Sequence, residues 1–131
     1  MRAILGFSLI FGLLISGCTG LGFIKPRLDP PARVHGGYLF KFYVPYATVV
    51  QLAGNWEDNN WLAGNAQNAG TRIGEMQDSE KDGVWTIVVN LAPGRYQYKF
   101  VIDGQTWKED PNNPEKTDDG YGGFNSLFIV K

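Results

Sequence analysis

The chain of 131 residues carries 12 Lys and Arg against 13 Asp and Glu, with one histidine and one cysteine. Near-neutral charge without a basic stripe excludes a nucleic-acid footprint. A single cysteine excludes an intramolecular disulfide, and the length suits one domain but not a sandwich joined to a catalytic domain.

In chain order, Arg2 and the apolar run 3–15 have the form of an export signal too short for a comfortable membrane span. The run ends in Ile15-Ser16-Gly17-Cys18, which resembles the bacterial lipobox, where an aliphatic and two small residues precede a cysteine that is diacylated and becomes the mature N-terminus. That family more often has Leu where Ile15 stands. The alternative is an ordinary secretory signal, or a short anchor with a buried cysteine. The lipobox resemblance implies a signal peptide over 1–17, lipidation at Cys18 and a membrane-tethered chain, since each acyl methylene contributes roughly 0.8 kcal/mol. It also implies a place in the bacterial cell envelope, and Thr19 after the cysteine favours the outer membrane for a Gram-negative source. Residues 18–34 then read as a tether, because Pro26, Pro30 and Pro31 with Gly20 and Gly22 oppose both helix and central strand. Its reach is roughly 50 Å at about 3.3 Å per residue.

The globular part, 35–131, is scarce in helix-forming runs and rich in aromatic and β-branched residues, so an all-β class is expected. Tyr38, Phe40, Phe42 and Val44 alternate with Leu39, Lys41 and Tyr43, a strand over 38–44. A second strand covers 48–53, a long Asn- and Gly-rich loop follows over 54–70, and 71–77 is a candidate short strand. Over 84–91, Trp85, Ile87, Val89 and Leu91 share one face, so Trp85 is assigned to the core. Ala92-Pro93-Gly94 reverses the chain, and Tyr96, Tyr98, Phe100 and Ile102 then share a face opposite Arg95, Gln97, Lys99 and Val101. Asp103-Gly104 is a strong hairpin signal. Short strands over 106–109 and 125–130, with a loop over 110–123 between them, complete about seven antiparallel strands. That pattern predicts an immunoglobulin-like β-sandwich.

Nothing in the sequence has the form of a catalytic centre. His35 stands alone at the domain edge, and no Cys or His set has metal-ligand spacing. The carboxylate pairs Glu57-Asp58 and Asp118-Asp119 are adjacent loop acids, expected to be solvated, whereas glycoside hydrolysis needs two carboxyls flanking a scissile bond. The oxygen-rich run 110–120 does not follow the EF-hand spacing. No cofactor and no metal are expected. Binding is the better case: a sugar ring offers a flat face of C–H groups edged by hydroxyls, which suits an exposed aromatic plate with polar donors at its rim. Trp61 and Trp107 lie in polar contexts that do not demand burial. Trp56 is expected to pack beneath its loop.

The run YQYKFVIDGQ-T-W followed by Asp110-Pro111, the upstream segment VVQLAGNWEDNNW and the closing YGGFNSLFIVK together resemble the glycogen-binding domain of the AMP-activated protein kinase beta subunit. The wider group is carbohydrate-binding module family 48, of the early-set type found in front of isoamylases and branching enzymes. The resemblance runs from Tyr38 to Lys131. It implies two tryptophans that stack on glucose rings, a lysine on the central strand and an asparagine heading the last strand, at Trp61, Trp107, Lys99 and Asn125. Tyr121 stands where the family often has a ring-piercing leucine and is a further stacking surface, while Gly123 replaces a threonine and loses a hydroxyl contact. The expectation is a non-catalytic α-glucan-binding module on a lipid anchor, with an α-glucan oligo- or polysaccharide as ligand and a glucan-active enzyme or envelope protein as candidate partner. The rival is an envelope protein-interaction module that keeps the sandwich without the sugar site.

Overall fold

The computed structural model describes residues 27–63 and 72–131, so the expected signal peptide, the lipobox-like run with Cys18 and most of the expected tether lie outside the described residues. Eight strands are present among the described residues: β1 (Ala32–Val34), β2 (Gly37–Tyr43), β3 (Val50–Gly54), β4 (Val84–Val89), β5 (Gly94–Ile102), β6 (Thr106–Lys108), β7 (Lys116–Asp118) and β8 (Phe124–Val130). They form two antiparallel sheets, β1-β2-β4 and β3-β5-β8-β7, with β6 paired to β5. The chain is an all-β sandwich.

Period-2 alternation decides which side chains enter it. Phe40, Phe42 and Val44 come from one sheet and meet Val50, Leu52, Tyr98, Phe100, Ile102 and Val130 from the other. Phe42 and Phe100 have ring centroids 4.4 Å apart, and Phe40 meets Tyr98 edge-on at 5.1 Å. Burying each such side chain stabilises the fold by roughly 1.5–3 kcal/mol. Trp85 packs on this core as expected and donates its indole N–H to the Val44 carbonyl at 2.9 Å. Tyr96, near the start of β5, donates its hydroxyl to the Ala92 carbonyl four residues upstream at 2.6 Å, a tyrosine corner that pins the reversal at Pro93 and Gly94.

β5 organises its sheet. One edge pairs with β3 from Val50↔Ile102 to Gly54↔Tyr98. The other edge is shared: β8 holds it as far as Tyr98↔Ser126, and β6 takes over from Phe100↔Lys108. Lys99 falls at the change-over, where two strands diverge. The β5–β6 connection is the Asp103-Gly104 turn, with φ of 51° and 69°, the paired positive values of a type I′ hairpin. Asp103 also ties this turn to the start of β3, its Oδ1 accepting the N–H groups of Thr48 and Val49 at 2.8 and 2.9 Å.

Four expectations about the elements need correction. Ala32–Val34, assigned to the tether, pairs with β2 across His35 and Gly36, because the double proline stops just short of it. Lys116–Asp118, assigned to a loop, pairs with β8 from Lys116↔Ser126 to Asp118↔Phe124. Of the run 71–77, assigned to a strand, the described residues 72–77 make only isolated bridges, Gln51↔Glu75 and Gln77↔Thr86. It passes from the edge of β3 to the edge of β4, and Gly74 lies so close to the Leu52 carbonyl that a Cβ there would meet its oxygen at 2.2 Å. The second strand starts at Val50 rather than 48, since the N–H groups of Thr48 and Val49 are taken by Asp103.

Candidate functional site

The outer face of the five-stranded sheet carries the side chains that alternate against the core. Tyr98 and Phe100 point inward and are fully buried, so Gln97 and Lys99 point outward. Trp107 pairs with Val101 in β6 and therefore shares that outer face, 45% exposed. Asn125, in β8, donates its amide to Gln97 Oε1 at 2.9 Å. Asn55 follows β3 and continues its pairing: its N–H bonds the Gln97 carbonyl at 3.1 Å, and its Oδ1 accepts the Gln97 N–H at 3.0 Å.

Trp61 is presented differently. It lies in a single 3-10 turn, Asn60–Leu62, whose three residues have φ of 42°, 56° and 64°. A left-handed conformation costs an L-residue roughly 1–2 kcal/mol, so three in a row persist only under strong local restraint. The buried Asn59 supplies that restraint. Its side chain bridges the β3 backbone, donating to the Leu52 carbonyl at 2.7 Å and accepting the Gly54 N–H at 2.8 Å. Trp56 supplies the rest: its carbonyl accepts the N–H groups of Asn59 and Asn60, and its ring packs on Phe40 and Tyr96, beneath the loop as expected. Gly54 makes this possible, since a Cβ there would lie 1.8 Å from the Trp56 ring.

The loop after β7 brings in a carboxylate. Asp119 Oδ2 pairs with Lys99 Nζ at 2.9 Å, and Oδ1 accepts the N–H groups of Tyr121 and Gly123 at 2.7 and 3.0 Å. The Lys99 hydrogen bond, followed by the Tyr121 N–H, holds the Asp119 carboxyl down to about 2. Gly123 is what lets the carboxylate approach, because a Cβ there would come within 2.9 Å of Asp119 Oδ2. Gly123, which lacks the family's threonine hydroxyl, thus makes room for an ion pair. Tyr121 stands 94% exposed at the rim.

All five residues singled out in the sequence, Trp61, Lys99, Trp107, Tyr121 and Asn125, line one open groove of about 480 Å³. The structure adds Asn55, Gln97 and Asp119. Gln97 was legible as the residue two before Lys99 on the same face. Asp119, expected from the sequence to be a solvated loop acid, is instead a structural partner, since only the folded loop brings it to Lys99. Chemically, the groove offers three aromatic surfaces over a floor of amides and one internally neutralised ion pair. Such a floor suits a neutral, hydroxyl-rich ligand better than an anion. Asp119 is the one carboxyl among the described lining residues, and its pairing with Lys99 holds it ionised.

Below this groove a buried polar cluster fixes the 109–115 loop. Tyr98 donates its hydroxyl to Asp110 Oδ2 at 2.6 Å, Asn113 donates to Tyr98 Oη and to the Leu127 carbonyl, and Ser126 Oγ accepts the Asp110 N–H. Burial pushes the Asp110 carboxyl above its ordinary value, and burial, with Asp110 beside it, pushes the Tyr98 hydroxyl well above its own. The Asp110 carboxylate also accepts the Asn112 N–H at 2.8 Å.

Residues 43–131 match the family described as the glycogen recognition site of AMP-activated protein kinase. Among individual proteins, the chain is 44% identical over 56 residues to protein PTST homolog 2, chloroplastic, of Arabidopsis thaliana, covering 43% of this chain and 10% of that one. It is 35% identical over 80 residues to the SNF1-related protein kinase regulatory subunit beta-2 of Arabidopsis thaliana, covering 61% and 23%. It is 37% identical over 71 residues to the 5'-AMP-activated protein kinase subunit beta-2 of Homo sapiens, covering 54% and 24%. The chain thus spans about a tenth to a quarter of the length of these curated relatives. Because the family match extends over well more than half of its residues, the chain belongs to the glycogen-recognition family, a family of non-catalytic carbohydrate-binding modules.

Proposed function

We propose that the protein is a non-catalytic α-glucan-binding module, tethered to the bacterial envelope through lipidation of Cys18, and in the outer membrane if the source is Gram-negative. The observation that carries the glucan reading is the groove itself: Trp61, Trp107 and Tyr121 surround the Lys99–Asp119 pair and the Asn125–Gln97 amides. Aromatic plates receive the apolar faces of successive glucose rings, while Lys99 Nζ and the amides meet hydroxyls at their edges. Family membership supports glycogen-like chains over other glycans. The lipid anchor is supported by Ile15-Ser16-Gly17-Cys18 and the proline-rich run behind it. In that setting the module holds glucan near the membrane or presents it to a glucan-active enzyme.

With two principal plates and a few hydroxyl contacts, the affinity is on the order of −4 to −7 kcal/mol, or roughly millimolar to tens of micromolar. Electrophoresis of the purified full chain through gels containing glycogen tests the site. Wild type should be retarded, and Trp107→Ala should migrate freely while unfolding at the same denaturant concentration. Retardation that survives Trp107→Ala places the ligand elsewhere. A folded wild type that no glycan retards turns the choice to a protein partner.

A further inference from the structure

The divergence of β6 and β8 from one edge of β5 leaves a notch beyond Trp107. β8 pairs with β5 only as far as Tyr98↔Ser126, and β6 begins at Phe100↔Lys108, so the end of β6 and the start of β8 flank a gap. The 109–115 loop closes its base, fixed by the Tyr98, Asp110 and Asn113 hydrogen bonds. The resulting second groove, of about 600 Å³, has Phe124, Lys116, Lys108, Pro111 and Pro114 along its walls and shares Lys99 and Trp107 with the first.

Three features suit this groove to a ligand. Phe124 is 45% exposed, a large apolar ring left in solvent at the head of β8, next to Asn125. Lys116 Nζ lies over the face of that ring, 4.8 Å from its centre, so a cationic donor stands against the aromatic surface. Among the described residues neither Lys108 nor Lys116 has a carboxylate within ion-pair distance, so their N–H groups can meet ligand oxygens. The shared wall then says what lies there. Because Lys99 and Trp107 line both grooves, a chain that leaves the first groove past Trp107 enters the second, whose prolines and fixed loop present their surface with little ordering cost.

We infer that the Phe124 notch is a second subsite, continuous with the first groove, that takes the further sugar units of a long α-glucan and gives the protein a preference for chain length. The inference rests on the glucan reading above. Its test is calorimetric titration of the purified full chain with maltotriose and with maltoheptaose, in wild type, Phe124→Ala and Phe124→Tyr.

Wild type should bind the longer sugar more tightly. Phe124→Ala should weaken maltoheptaose about fivefold, the scale of one lost aromatic contact, and leave maltotriose unchanged. Phe124→Tyr, which keeps the ring, should keep the preference. Near-UV circular dichroism verifies that each variant is folded. If Phe124→Ala leaves both affinities alone, or lowers both equally, the second subsite is wrong while the first groove stands. If neither sugar binds wild type, the glucan reading fails and the subsite falls with it.

Discussion

Lys99 and Asp119 set the electrostatic character of the groove. A free lysine at the centre of an aromatic cleft would attract anions, whereas one held at 2.9 Å by a carboxylate presents only its remaining N–H groups. Asp119 has an ordinary value of 3.8 and is lowered to about 2 in the fold, chiefly by the Lys99 hydrogen bond. The folded carboxyl is the stronger acid, so the unfolded chain binds more protons between those values. The stabilisation is therefore complete above about pH 3.8 and is lost as pH falls through about 2. NMR titration of the Asp119 carboxyl should give a midpoint near 2. Gly123→Ala, whose Cβ would crowd Oδ2, should raise that midpoint towards 3.8. An unchanged midpoint in Gly123→Ala would show that the glycine does not set the approach.

Among the elements, the left-handed turn at Asn60–Leu62 is the one held furthest from a relaxed backbone. Its direction depends on Asn59, a residue outside the lining of the aromatic groove, whose two side-chain hydrogen bonds among the described residues are both to β3. Asn59→Ala leaves the Leu52 carbonyl and the Gly54 N–H without those partners, at a cost of about 1–3 kcal/mol. Urea unfolding should register that loss, and glycogen affinity should fall as well, because Trp61 is no longer aimed. If stability falls and affinity does not, Trp61 is not a working plate. This element was the least legible in the sequence: an Asn-rich run without period says loop, and no local pattern distinguishes a left-handed turn from a disordered one. The strands of the sandwich were legible because alternation is a property of the residues themselves, as Tyr96, Tyr98, Phe100 and Ile102 show. β1 and β7 were not, since each is only three residues long and is defined by its partner rather than by its own pattern. Asp119 belongs to the same class, because its role exists only once β7 has docked.

For the molecule as a whole, the buried cluster at Tyr98 connects the core to the 109–115 loop, which lines the second groove. Tyr98 reaches from the fully buried interior to Asp110, and Asn113 donates back to it. Tyr98→Phe keeps the ring but leaves Asp110 Oδ2 without its hydroxyl donor, and should cost about 1–3 kcal/mol in denaturant unfolding. A change near zero would mean that water replaces the hydroxyl without loss. At the other end of the chain, Cys18→Ala should move the protein from the membrane to the soluble fraction after export and abolish incorporation of labelled fatty acid. Persistent membrane association without label would replace the lipid anchor by an uncleaved signal.

Binding of α-glucan in the aromatic groove is measured most simply by titrating the purified full chain with maltoheptaose, following tryptophan fluorescence, with cellohexaose as the comparison. Trp61 and Trp107 both line the groove, so occupancy should give a saturable change with a midpoint between tens of micromolar and roughly millimolar. The α-linked chain should produce it and the β-linked chain should not. A folded protein whose fluorescence responds to neither sugar, or to both alike, would contradict α-glucan binding there.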